Sequence, residues 1–536
     1  MPQPQPPKRK MEDTSGVLVS SKRVNSLAGL GGPVPSPPLE YEKAIDTDQG
    51  SETLEVPVTQ CDLLETLPEE LVAKIFDHLR GDSGSLFNVS LASQRCQRIG
   101  VNALYASVGS AGRCFVRTIV ENSNSGLAQK VHSVEWCVKA VKQYPQAHLT
   151  ARERTEFGNH VSQLQLPNAV EVDNWMNRLT LALDESAQLS IVLLLATNIR
   201  ELTILSDATL SIGSGRDFDW VNMLIDAACG SPRGLENSFQ HLNRFHFEMP
   251  LSFIQMPYLA CILRLPSLRT FILEGATHPF PISPAEWRCA AASSGVEHIR
   301  LDRSFLDSNV VAMLLASCKA VKTFTYEYDS ITWEPFSPPP ANRWAQHSWS
   351  MIGDALRRHE DSLETLTLVD NTDAALMTIV ARHFPAFQTG LDYGHLGSLH
   401  RFQKLRDVQV PLAAFTSKMS WAPDATEYNA QDFPYSLPSG IEYLDISVDQ
   451  KEYPGFRPLC GESNALKTLK DAVVANNFPE LQRIDVFVEK SAVISRIPLL
   501  DPIEVLENKG VDVYFFLGDD YVCLQDLEQD EVAATD

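Results

Sequence analysis

One short pattern recurs ten times between residues 131 and 486 and constrains the fold more than any other feature of the chain. It reads: an aliphatic residue, two others, an apolar residue, one other, and a second apolar residue. The matches are Val131-Val134-Trp136, Ile199-Leu202-Ile204, Leu242-Phe245-Phe247, Leu268-Phe271-Leu273 and Val296-Ile299-Leu301. They continue as Val321-Phe324-Tyr326, Leu363-Leu366-Leu368, Leu405-Val408-Val410, Ile441-Leu444-Ile446 and Leu481-Ile484-Val486. Start-to-start spacings are 68, 43, 26, 28, 25, 42, 42, 36 and 40 residues, with 30 more to a last strand-like segment at 511–516. Alternation over the closing residues of each unit is strand periodicity. Helical spacing lies between units: Val310, Val311, Leu314 and Leu315 in 307–316; Met351, Ile352, Ala355 and Leu356 in 351–359; Leu466, Leu469 and Val473 in 464–474, with Asn464 as N-cap. A strand–helix unit cannot bury its apolar face alone and must stack on its neighbours. The pattern predicts an α/β solenoid of parallel strands and outer helices over 130–516. The 68-residue spacing leaves room for a degenerate unit near 161–183.

The ends differ from this middle. Eight prolines fall within the first 40 positions, mixed with Ser, Gly and charge, so residues 1–58 are expected to stay disordered. Lys8-Arg9-Lys10 and Lys22-Arg23 lie there, as a solvated tail or as a nuclear import signal. Residues 518–536 carry seven Asp or Glu and are expected to form an acidic tail. The whole chain carries 45 Lys+Arg against 68 Asp+Glu, a net charge of −23. That balance argues against nucleic acid as a partner, because phosphate binding needs a basic face. The longest apolar run, 310–316, is far below the ~20 residues of a membrane span. No C-x-x-C pair occurs among the ten cysteines, which fits reduced thiols in the cytoplasm or nucleus.

Residues 62–106 form a distinct helical module. Thr66 and Glu69 have capping-box spacing around Pro68. Leu67, Leu71, Ile75 and Leu79 then recur every four residues, with Phe76 beside them, on a helix ending near Gly81. A second apolar segment holds Leu86, Val89, Leu91 and Ala92. A polar turn (Gln94, Arg95, Gln97, Arg98) leads to Ile99, Val101, Leu104 and Tyr105. Three short helices make a small core, and such a module often relies on a partner to cover its apolar side.

These residues resemble an F-box. The family pattern Leu-Pro-x-Glu-Leu is matched by Leu67, Pro68, Glu69, Glu70 and Leu71, and its Ile-Phe pair by Ile75-Phe76. Its second half is matched by Val89, Ser90 and Arg95, and its close by Leu104-Tyr105. Cys96 stands where the family has a bulky aromatic. The ten-fold pattern is similar to the leucine-rich repeats that follow F-boxes in many fungal and animal proteins. Its spacing is irregular, and the repeat's usual Asn occurs only as Asn371. The resemblance implies a non-catalytic substrate receptor of an SCF-type ubiquitin ligase. Leu67, Pro68, Leu71, Ile75, Phe76, Leu79, Val89 and Leu91 would contact the Skp-type adaptor, and through it a cullin–RING ligase. The alternative is a repeat scaffold or signalling adaptor whose helical module is only a cap.

The target would meet the repeats. At the outermost exposed position of four closely spaced strands the residues are Glu248, Glu274, Asp302 and Glu327. Parallel strands lie about 4.8 Å apart, so these carboxylates form either a solvated acidic edge or a lane for a Lys/Arg-rich target segment. Arg244, His246, His298 and Arg300 lie beside them. Aromatic- and proline-rich loops at 333–349 and 411–439 are further recognition candidates. No phosphate loop, metalloprotease helix or nucleophile elbow occurs, so neither a catalytic residue, a metal nor a cofactor is expected.

Overall fold

The structure is a computed structural model. It describes residues 63–79, 82–109, 118, 126–138, 155, 158–159, 185–206, 219–230, 239–253, 256–278, 281–329, 348–371, 394–416, 433–448, 461–488, 497–517 and 520–522. The segment 1–58 with its basic clusters, the 161–183 segment, most of the loops 333–349 and 411–439, and the end of the acidic tail lie outside the described residues.

All ten pattern matches lie on strands of one sheet or lead into them. The strands are β1 (Ser107–Val108), β2 (Ser133–Val138), β3 (Glu201–Ser206), β4 (Arg244–Phe253), β5 (Thr270–His278), β6 (His298–Leu306) and β7 (Thr323–Tyr328). They continue as β8 (Thr365–Asp370), β9 (Asp407–Pro411), β10 (Tyr443–Val448), β11 (Arg483–Val488), β12 (Asp512–Leu517) and β13 (Asp520–Val522). Each pairs with the next in chain order; β1 to β12 are parallel and β13 returns antiparallel. Strand order equal to chain order is the topology of a stacked array. The three apolar residues of every match are buried, at 5% exposure or less.

The main chain repeats as regularly as the side chains. Entering each strand from β3 to β11, two successive N–H groups donate to one carbonyl of the preceding unit. Arg200 and Glu201 donate to the His132 carbonyl at 2.7 and 3.0 Å, Glu364 and Thr365 to that of Lys322 at 2.7 and 3.0 Å, Glu442 and Tyr443 to that of Arg406 at 2.8 and 3.0 Å. The side chains on these rungs alternate in sign: Arg269, Glu297, Lys322, Glu364, Arg406, Glu442. Lys322 Nζ lies 2.6 Å from Glu297, and Arg406 Nε lies 3.3 Å from Glu442. Such exposed pairs contribute about 0–1 kcal/mol each and chiefly favour this stacking order.

Helices supply the second layer. The main ones are α5 (Glu185–Leu195), α6 (Asp219–Cys229), α7 (Ser308–Ser317), α8 (Trp349–Leu356), α9 (Gly461–Val474) and α10 (Ile497–Glu507), after the four of the N-terminal module. The core joins their apolar residues (Leu189, Trp220, Leu224, Leu314, Ile352, Leu469, Leu506) to the inward residues of the strands. Trp220 meets Phe247 edge-on at 5.2 Å, and Phe245 stacks on Phe271 at 5.8 Å. His359 is buried between units: it accepts from Val321 N–H at 3.3 Å through Nδ1, which leaves Nε2 to donate to the Leu315 carbonyl at 3.1 Å. Burial lowers its pKa, so it sits there neutral.

Several expectations need correction. β2 pairs directly with β3 over six residues, Ser133–Val138 against Glu201–Ser206. Asn464 lies inside α9, which begins at Gly461. Residues 520–522 are not tail but β13, which closes the last edge of the array. β1 was not expected from sequence, because two residues are too few to show a period.

Candidate functional site

The N-terminal module contains α1 (Leu63–Thr66), α2 (Glu69–His78), α3 (Ser83–Ala92) and α4 (Gln94–Ala106). Thr66 ends α1, and Pro68 is itself the N-cap of α2, its carbonyl accepting from Leu71 and Val72, so the Thr66–Glu69 spacing does not form a capping box. Residues 94–98 are not a turn but the start of α4, capped by Ser93 Oγ on the Cys96 N–H at 3.0 Å. Arg95 reaches back from α4 and donates to the carbonyls of Leu64, at 2.9 Å, and of Leu67, locking the segment that carries Leu67-Pro68.

The expected stripe divides between two environments. Phe76 is buried with Val72, Leu86, Cys96 and Ala103, and Leu67, Leu79 and Val89 pack half-buried against them. A side chain on Gly100 would collide with Ser90 and Phe76, so that glycine sets how closely the helices approach. The small Cys96 is itself buried in this core. Leu71, Ile75 and Leu91 point outward at 45%, 37% and 63% exposure, joined by Phe87 at 52%, and Pro68 is exposed. Leu71 and Ile75 are one turn apart on α2, as are Phe87 and Leu91 on α3. These four are half of the eight large exposed hydrophobics among the described residues, so unpartnered apolar surface concentrates on this module.

The second region is the sheet face opposite the helices. Glu248, Glu274 and Asp302 are register partners on β4, β5 and β6. Glu327 is offset, because a bulge between Leu301 and Ser304 sets two residues of β6 against it. Arg303 sits in that bulge at φ 44°, a left-handed conformation costing on the order of 1 kcal/mol in a non-glycine residue. The bulge turns its guanidinium onto Glu274 and its N–H onto Glu327 Oε2 at 3.2 Å. Arg300 Nε holds Asp302 at 2.6 Å, His246 Nε2 lies 3.6 Å from Glu274, and Asn371 Nδ2 donates to Glu327 at 2.7 Å. These hydrogen bonds raise the pKa of both arginines. Two of the four carboxylates in the row, Asp302 and Glu274, are thus each paired with an arginine of β6.

A second carboxylate group stands on the same face and is less well balanced. Asp485 accepts both arms of Arg483, at 2.7 and 2.6 Å, and that guanidinium stacks over Tyr514 at 4.6 Å. Asp445 is the register partner of Asp485. Burial first, then the carboxylates of Asp485 and Asp407, push the Asp445 carboxyl up to about 6. Both occupy the position between the two closing apolar residues, and reading that position in the later units would have found them.

The raised value implies a pH dependence. An unfolded Asp titrates near ~3.9, so between there and about 6 the folded chain holds the extra proton and loses stability as pH rises. Asp445→Asn is expected to gain about 1–2 kcal/mol in urea unfolding near pH 7.5, after allowance for solvent screening, and close to nothing near pH 4. An equal gain at both pH values would remove the ionisation of Asp445 as the cause.

Among the described residues no group of three or more His, Cys, Asp or Glu could hold a metal ion, and no helix is long and apolar enough to cross a membrane. No family model matches the chain, and comparison with curated proteins finds no match.

Proposed function

We propose that this chain is a non-catalytic substrate receptor of an SCF-type ubiquitin ligase. The observation that carries the reading is the exposure of Leu71, Ile75, Phe87 and Leu91 on a small helical module. An apolar helical face that its own chain leaves uncovered is suited to a partner groove. In this reading Leu71, Ile75 and Leu91 contact the Skp-type adaptor, Leu67 and Pro68 set the entry to α2, and Phe76 supports the face from beneath. The repeat array then holds a target, and the ligase gains rate from proximity without chemistry by this chain. The target face is the open side of the sheet, where the Asp407–Asp445–Asp485 group offers a basic segment less neutralised charge than the Glu248–Glu274–Asp302 row does.

The test is co-purification and titration with a Skp-type adaptor. The double variant Leu71→Glu, Ile75→Glu is expected to lose about 3 kcal/mol of binding, roughly 100-fold in Kd, with its helical circular dichroism unchanged. Wild-type chain that fails to bind the adaptor, or a double variant that binds as well, would refute the assignment.

A second reading rests on a different observation. Helix α4 runs directly into β1, the His132 N–H donates to the Ala106 carbonyl at 2.8 Å, and Lys130 Nζ donates to Asn102 at 2.7 Å. The module thus also forms the first rung of the array, as the end cap of a scaffold would. A scaffold would show no adaptor binding, and its array would lose stability when 63–106 is removed.

A further inference from the structure

In the units that open at Leu242, Leu268, Leu363, Leu405, Ile441 and Leu481, the N–H of the opening residue donates to a main-chain carbonyl three or four residues back in its own unit. The unit that opens at Val321 departs from this. Its Val321 N–H donates forward instead, to Nδ1 of His359 in the next unit, at 3.3 Å. The same turn takes the other half of that residue: Ser362 Oγ donates to the Val321 carbonyl at 2.8 Å. Residues 359–362 thus clip Val321 by both of its main-chain groups. His359 Nε2 adds a third bond, to the Leu315 carbonyl of α7 at 3.1 Å. The residue is only 2% exposed, so water is not at hand to replace these partners. Elsewhere the opening N–H meets a carbonyl, which does not titrate; here it meets an imidazole, which does.

We propose that His359 is a pH-sensitive latch between the units that open at Val321 and Leu363, closed while the ring is neutral and released when it takes a proton. A neutral imidazole has one donor and one acceptor, and both are used: Nε2–H gives to Leu315, and the bare Nδ1 receives from Val321. A second proton has only Nδ1 to bind. There it meets the Val321 N–H, leaves that buried donor without an acceptor and puts a charge in the core. The surroundings do little to offset that charge. α7 carries no titratable side chain along Ser308–Ser317. The turn after it brings Cys318, whose thiol burial pushes up to about 12, and the exposed Lys319. Lys322, on the next rung, is paired with Glu297. The turn of His359 itself brings Arg357, paired with Asp354, the exposed Arg358, and then Glu360 and Asp361. Burial holds the ring below its ordinary range; the Leu315 carbonyl pulls the other way, and the Arg358 charge adds to the burial. An unfolded histidine titrates near ~6.5. Above that pH neither state holds the proton and the latch stays closed. Below it the unfolded chain takes the proton first, so stability falls as pH falls, until the folded chain is protonated as well.

The experiment compares the full wild-type chain with His359→Gln, whose amide can accept from Val321 and donate to Leu315 but does not titrate. Amide hydrogen exchange is followed on peptides covering 315–321 at pH 7.5 and 5.5, with the two chains compared at the same pH so that every other titrating group cancels. Similar protection is expected at pH 7.5. At pH 5.5 the wild type should be less protected than His359→Gln by up to about tenfold, the most that one pH unit below ~6.5 can give. Exchange at the His359 ring carbon Cε1, read by mass spectrometry across pH in the wild type alone, needs no variant and should show a midpoint below ~6.5. An equal loss of protection in both chains between pH 7.5 and 5.5, or a His359 midpoint at or above ~6.5, would overturn the proposal.

Discussion

Gly353→Ala is expected to disrupt the middle of the array more than any loss of a single methyl group could. Gly353 lies in α8, buried, and a side chain there would run into the Leu396 carbonyl, with the carbonyl carbon only 2.7 Å away. The struck atoms are backbone, in a segment already tied down: the Leu396 N–H donates to the Ala414 carbonyl at 2.8 Å, and Arg357 donates to the Leu396 carbonyl at 3.4 Å. No side-chain rotation relieves such a collision, so either α8 or residues 394–399 must move. Overpacking typically costs about 1–3 kcal/mol, and a backbone clash belongs at or above ~3. Urea unfolding of the full chain measures it. Gly109→Ala is the control, since a Cβ there meets nothing within 4 Å and the change should stay within ~0.5 kcal/mol. Equal midpoints for the two variants would show that 394–399 does not pack on α8 as described.

Leu366→Ala should cost about 2–5 kcal/mol, because the side chain is fully buried and the rigid neighbours of a stacked strand cannot close the cavity. Thr367→Ala, one residue on, should cost less than ~1 kcal/mol. Thr367 faces the open side between Thr325 and Gln409, where water replaces the lost methyl and hydroxyl contacts. Denaturant midpoints of the two variants test the register directly. Matching losses would mean that the alternation along β8 has been assigned to the wrong face.

The order of the sheet was legible because strand burial has a two-residue period and each match carries two closing apolar residues plus an aliphatic anchor. Phe245 and Phe247 could be assigned inward from their spacing alone, as could Leu366 and Leu368. The module was legible in part. Leu67, Leu71, Ile75 and Leu79 form one stripe on a helical wheel, yet Leu71 and Ile75 face out while Leu79 packs inward. The boundary between them depends on where α4 lies, and that follows from Gly100 and the reach of Arg95, which no periodicity records. The candidate target face was harder still. The row Glu248, Glu274, Asp302 is correct in register, but the pairing of Glu274 depends on the Arg303 bulge, a single-residue departure that alternation cannot show.

The sequence by itself determined that strands and helices alternate, that ten strands stack in chain order, and which residues of each strand face the core. These are local consequences of where apolar residues recur, and every unit repeats them. Only the tertiary structure decided which charges neutralise one another and which half of the α2 stripe remains open. Those depend on distances between residues far apart in the chain: Glu274 with Arg303, Phe76 with Gly100. Electrostatic and contact energies change over a few ångströms. A repeat pattern places a residue on a face, and packing alone brings it within that range of its partner.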